Sequence, residues 1–224
     1  MFTIKNLKEY PYCIYIYIMI DIIHNTALMY IEEKLKPIIE SIGEPLEGNI
    51  FEEDPHVVDN FLPKRKNVIL ACQNKRKALE IGFNSGYSAV LILLSNPHIH
   101  LTCVDIAWHR YTIPCYQQIK KDFGDRIQLL VGDSKVVVRT IIDKFDLIHI
   151  DGGHTLDIAN SDIINTNKLL MNDAVIIMDD VNINDSNHGL SNLWVQLSTH
   201  FGYKAPSFEI YQNNYQDIRV FSTQ

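Results

Sequence analysis

Short apolar runs alternate along this chain with longer segments whose apolar residues recur at helical spacing. Residues 77–81, 99–104, 126–131, 145–150 and 174–178 each read as a short buried strand. Every one of the five ends at or beside an acidic residue: Glu80, Asp105, Asp133, Asp151 and Asp179-Asp180. Between them, residues 87–94, 110–123, 135–144 and 157–170 carry helical patterns, with further helices expected at 64–73 and 191–201. Strands interleaved with helices predict an α/β fold, a doubly wound and mostly parallel sheet with right-handed crossovers. Residues 207–211 and 217–221, separated by Gln212-Asn213-Asn214-Tyr215-Gln216, predict a terminal antiparallel hairpin. In an open parallel sheet the ligand crevice lies outside the carboxyl ends of the strands, so the acidic strand ends should share one edge.

The first third follows different rules. Leu28, Ile31, Leu35, Ile38 and Ile42 recur at three- and four-residue steps, which predicts one face of a helix with Pro37 as a kink. That face covers its own domain or forms the seam of a homodimer. Residues 12–20 are rich in Ile and Tyr. The run is too short to span a bilayer, it lacks the cleavage site of a secretory signal, and its alternation suits a strand. Translation starting at Met19 is the other reading of residues 1–18. Residues 43–59, rich in Glu, Asp, Pro and Gly, read as a mobile connection. The division expected is a helical N-terminal extension or lid over residues 1–63 and one catalytic-sized domain over 64–224.

Composition narrows the partners. With 224 residues, 46% of them hydrophobic, the chain can bury one sizeable core. A formal charge of −7 disfavours a nucleic-acid groove. Lys64-Arg65-Lys66 and Lys75-Arg76-Lys77 could form a local basic patch, although solvated residues flanking a helix is the better reading. Cys13, Cys72, Cys103 and Cys115 are scattered, which suits free thiols in a reducing cytosol.

The densest chemical signal is Ala78-Leu-Glu-Ile-Gly-Phe-Asn-Ser-Gly-Tyr-Ser-Ala89, an apolar strand joined to an apolar helix through Gly82 and Gly86. Glycines there permit left-handed backbone and close approach of a ligand to unpaired N–H groups. The spacing is not the G-x-G-x-x-G of a dinucleotide site, and the charge of Glu80 would oppose a pyrophosphate. A neutral or cationic nucleoside fits better. Asp105, about 20 residues on, has the position of a ribose ligand.

These residues, together with Gly132-Asp133-Ser134 and Ile150-Asp151-Gly152-Gly153-His154, resemble the class I S-adenosylmethionine-dependent methyltransferases, whose fold is Rossmann-like. The likeness runs from about Lys77 to Phe221 and is nearest to the subgroup that methylates sugars and other small molecules. It implies that Glu80, Gly82 and Gly86 surround the methionine part of the cofactor, Asp105 the ribose, and Asp133 with Ser134 the adenine. Phe83, Asn84, Ser88, Ile106 and Asp151 complete the implied cofactor set. The glycine pair expected before the fifth strand is replaced by Met171-Asn172-Asp173, residues that also tolerate turns. A reversed final strand belongs to the same resemblance.

Some members of that subgroup hold a divalent metal, and the resemblance carries its ligands to Asp151, Asp179 and Asp180, with Mg²⁺ the expected ion. Such an ion would relieve carboxylate repulsion and acidify an acceptor hydroxyl. The alternative is that Asp179 and Asp180 merely begin a turn. His154, or Asp151 itself, would take the acceptor's proton. Phe83, Tyr87, Trp108, Tyr111 and Trp194 are candidate pocket walls, with a core role the better reading of Trp194. The function expected is O-methylation of a small-molecule acceptor in the cytoplasm, without a membrane. A nucleic-acid or protein methyltransferase, a nicotinamide-dependent oxidoreductase and a non-catalytic binding or assembly module are the rivals.

Overall fold

The computed structural model describes residues 11–48, 50–51, 62–181, 189–204 and 217–222. Helix α1 (Pro11–Tyr30) passes through a π-helical turn (Ile31–Leu35) into α2 (Lys36–Ile42). Then follow α3 (Leu62–Ala71), β1 (Lys77–Ile81), α4 (Tyr87–Ser95), β2 (His100–Asp105), α5 (Thr112–Phe123) and β3 (Ile127–Val131). The second half comprises α6 (Ser134–Val137), β4 (Phe145–Ile150), α7 (Leu156–Asn167), β5 (Leu170–Val181), α8 (Leu190–Phe201) and β6 (Asp217–Ser222). The sheet order is β3-β2-β1-β4-β5-β6, with β1 to β5 parallel and β6 antiparallel to β5. This is the doubly wound sheet that the pattern predicts. The other arm of the expected hairpin, residues 207–211, lies outside the described residues.

Because side chains alternate along a strand, the sheet builds two cores. Ala78, Cys103, Leu147 and Ile177 face α1 to α5 on one side. Leu79, Ile81, Ile148, Ile150, Ile176 and Met178 face α7 and α8 on the other. Five apolar or polar steps along one strand therefore commit each residue to a face, and this decides where the charged ones go.

Residues 12–20 are helical, not extended. Their Ile/Tyr alternation satisfies a strand, but Ile20, Ala27, Ile31, Leu35 and Ile39 form one buried stripe at helical spacing, and that stripe packs in the same core as α3 and α4. Leu28 and Ile38 of the expected face pack only at its edge. Pro37, which lacks an N–H and crowds the carbonyl four residues back, is accommodated by the wider turn before it. Tyr15, Ile18, Ile22 and Met29 leave the opposite face of α1 exposed. No helix among the described residues is long and apolar enough to cross a membrane.

Two further expectations change. In the connection after α2, Ile50 and Phe51 are buried; Arg65 donates from Nη1 to the Ile50 carbonyl at 2.8 Å and stacks over the Phe51 ring. Lys64 and Arg65 are therefore neither a basic patch nor a solvated one, since both are buried. The helix expected over 135–144 shortens to α6 and one tight turn, Val138–Thr140.

Candidate active site

Gly82 begins the loop after β1 with φ +90°, and a Cβ there would lie 1.8 Å from the Asp151 carbonyl oxygen. Only glycine lets β1 and β4 separate at that closeness. Gly86 caps α4 at φ +83°, and its missing Cβ would meet Ile119 and the Phe83 ring at 2.5 and 2.6 Å. Its requirement comes from packing beneath the loop; a ligand is not needed to explain it. The loop is anchored by Asp105. Oδ2 accepts the N–H groups of Phe83 and Asn84 at 2.7 and 2.8 Å, and Oδ1 accepts that of Ala107 at 2.7 Å.

Over these strand ends lies a cavity of about 580 Å³. Gly82, Phe83, Asn84, Ser88, Asp105, Ile106, Asp133, Ser134, Asp151, His154 and Asp180 line it. Sequence reasoning missed Glu47, Ile50, Lys64, His109 and Ile158, which also line it. The 44–48 stretch reaches the rim through Asn84, whose Nδ2 donates to the Glu47 and Gly48 carbonyls at 2.7 and 2.9 Å. Glu44 accepts from Arg110 and pairs with His109. Trp108 stands 81% exposed at the mouth, while Tyr111 and Trp194 are buried away from it. Among the described residues five carboxylates line the cavity (Glu47, Asp105, Asp133, Asp151 and Asp180) against one lysine. Such walls favour a cationic ligand over a pyrophosphate.

Glu80 is not at the cavity. Strand alternation turns it to the opposite face from Ile81, where it is fully buried beside its register partners Cys103 and His149. His149 Nδ1 lies 3.2 Å from Glu80 Oε1, and the Cys103 thiol donates to Oε2 at 3.4 Å. Burial alone would lower the His149 pKa, but Glu80, Asp151 and Asp179 together raise it. Burial pushes the Cys103 thiol up as well. His149 was a legible signal, a lone imidazole in an otherwise apolar strand end.

The three strand-end aspartates divide. Asp179 and Asp180 are neighbours on β5, so their side chains diverge. Asp179 is buried on the α3 side, ion-paired with Lys64, and its Oδ1 accepts the Asp180 N–H at 2.8 Å. Asp180, in left-handed backbone at φ +58°, turns outward and its Oδ2 meets His154 Nε2 at 2.7 Å. That hydrogen bond raises the His154 pKa. Desolvation would raise Asp180, but His154 and the nearby cations hold it low. Burial, then the Asp179 charge, pushes Asp151 up to about 7.

A three-carboxylate Mg²⁺ site needs Asp151, Asp179 and Asp180 to turn oxygens toward one point. Among the described residues the groups that converge are instead His149, Asp151 and Asp179, and separately Asp151, His154 and Asp180. With Asp179 engaged by Lys64 and by the Asp180 N–H, the expected trio does not fit the ion.

Residues 79–181 match a family model described as a methyltransferase domain. The likeness is to a methyltransferase domain and spans just under half of the chain. Solved methyltransferase structures of low identity share its fold. The SAH-bound N-methyltransferase NodS of Bradyrhizobium japonicum aligns at 14% identity and TM-score 0.59, over 83% of this chain and 98% of that one. The O-methyltransferase TomG of Streptomyces achromogenes, solved with SAM, aligns at 16% and 0.55, over 89% and 96%. An O-methyltransferase family protein of Burkholderia thailandensis aligns at 11% and 0.56, and this chain spans 74% of itself but 56% of that protein. At such identities the methyltransferase likeness is one of fold. No curated protein sequence matches the chain.

Proposed function

We propose that the chain binds S-adenosylmethionine in the cavity and transfers its methyl group to a hydroxyl of a small molecule. The observation that carries this reading is the continuity of one acidic cavity from the Asp133–Ser134 corner, past the Gly82 turn, to the His154–Asp180 pair. The acidic walls suit a sulfonium. The first region has the backbone approach and carboxylates for a nucleoside, and the last has an oriented imidazole.

In the transfer, the acceptor oxygen forms a bond to the methyl carbon as the carbon–sulfur bond breaks, its electron pair passing to sulfur to leave neutral S-adenosylhomocysteine. Holding the two reactants in line supplies most of the acceleration. The acceptor's proton passes to His154. Asp180 Oδ2 beside Nε2 favours the tautomer that carries its proton there, which leaves Nδ1 as the acceptor. Asp151, raised to about 7, is the second base within the cavity. No step is routed through a divalent ion, because Asp179 is already engaged.

The test uses methyl-labelled S-adenosylmethionine with a panel of phenols, sugars and amines, and locates the label by mass spectrometry. Label on oxygen is expected. Label on nitrogen would replace the hydroxyl acceptor with an amine while keeping the fold's chemistry, and binding of NAD in preference to S-adenosylmethionine would remove the reading.

A further inference from the structure

Lys64 is the unusual member of this edge. It opens α3, from the opposite side of the sheet to His154, yet its side chain is only 6% exposed and ends against Asp179 Oδ2. It also lines the cavity beside Asp151 and Asp180. A buried ammonium is costly unless carboxylates compensate it. Here Asp179 does so by direct contact, with Asp151 and Asp180 on the same cavity wall. The same three carboxylates, taken without Lys64, would repel one another in the place where the resemblance expects a divalent ion.

We propose that the Lys64 ammonium, paired with Asp179 beside Asp151 and Asp180, is the resident cation of this sheet edge, held by the fold in place of a divalent metal, and that it faces the acceptor oxygen across the cavity. This rests on the methyl-transfer reading, to which it adds a further cavity residue besides His154 and Asp151. One positive charge balances Asp179 permanently and stands beside the oxygen as negative charge develops there, which is the electrostatic part of what a metal would do. It also accounts for the separation of the two carboxylate groups. Asp179 is turned inward to the lysine, which frees Asp180 to orient His154. An ammonium, unlike an ion in exchange with solvent, needs no ligand set of fixed geometry.

The experiment is Mn²⁺ binding by electron paramagnetic resonance on the full chain, with S-adenosylhomocysteine calorimetry on the same samples. Wild-type protein should leave Mn²⁺ free. Lys64→Met, which keeps the apolar stem, should bind Mn²⁺ at least about tenfold more tightly than wild type, because it uncovers Asp179 where it converges with Asp151 and His149. Adding Asp179→Asn to that variant should abolish the gain, whereas Lys64→Arg should behave as wild type. Wild-type protein that holds Mn²⁺, whether or not Asp179→Asn releases it, overturns the proposal, and this measurement does not depend on any lysine variant folding. A folded Lys64→Met protein that gains no Mn²⁺ affinity overturns it too. Loss of S-adenosylhomocysteine binding by the wild type would sink the methyl-transfer reading instead, so the two failures are told apart.

Discussion

Replacing Asp105 with Asn tests whether this carboxylate holds the cofactor loop together before any ligand arrives. It accepts three backbone N–H groups, from Phe83, Asn84 and Ala107. Asparagine has one accepting oxygen. Placed where Oδ2 was, that oxygen keeps Phe83 and Asn84 with a neutral acceptor, while the amide faces the Ala107 N–H donor to donor. One charge-assisted bond lost and two weakened, at a partly solvent-accessible site, cost about 2–4 kcal/mol. For a domain of this size that is a fall of roughly 4–16 °C in Tm. Thermal denaturation of the ligand-free protein, followed by calorimetry with S-adenosylhomocysteine, reads both consequences. If Asp105 served the ribose alone, the apo protein would melt at the wild-type temperature and only affinity would drop. An unchanged melting curve therefore refutes the anchoring role.

Gly82→Ala should abolish folding or cofactor binding outright, because its Cβ has no escape from the Asp151 carbonyl; soluble variant with wild-type affinity, seen by calorimetry, would contradict this. His154→Ala should keep cofactor affinity yet lower turnover by about 10²–10⁴-fold. Protonated His154 cannot accept a proton, and its hydrogen bond to Asp180 raises its pKa, so wild-type rate should fall as pH drops through a value above the ordinary imidazole range. Asp180→Asn removes that cause and should move the acidic limb of the pH–rate profile to lower pH. A limb that stays in place assigns it to another group. Chelator treatment should leave turnover unchanged, and its restoration by Mg²⁺ after chelation would return the expected metal to the mechanism.

The sheet is legible in this sequence because each strand is an apolar run closed by glycine or aspartate, and the connecting segments have helical period. Its topology puts the strand ends at one edge without further information. What local pattern does not carry is the face on which a polar residue lands. Glu80 sits in the most recognisable motif of the chain, yet strand alternation sends it inward to His149. Adjacent aspartates at 179 and 180 read as one ligand pair but point apart for the same reason. Lys64 and Arg65 look solvated until the fold brings Asp179 and the Ile50 carbonyl to them, partners that are remote in sequence or hidden in a polar connection. In residues 12–20 the alternation of Ile and Tyr imitates a strand. Burial of Ile20 and Ala27 against α4, a tertiary event, selects the helix.

The most direct test of the account is isothermal titration of the full-length protein with S-adenosylhomocysteine and, separately, NAD. Saturable binding of S-adenosylhomocysteine at one site per chain is expected, weakened in Asp105→Ala and with no matching signal from NAD. Absence of binding, or tighter binding of NAD, would contradict the assignment of the cavity to S-adenosylmethionine and its demethylated product.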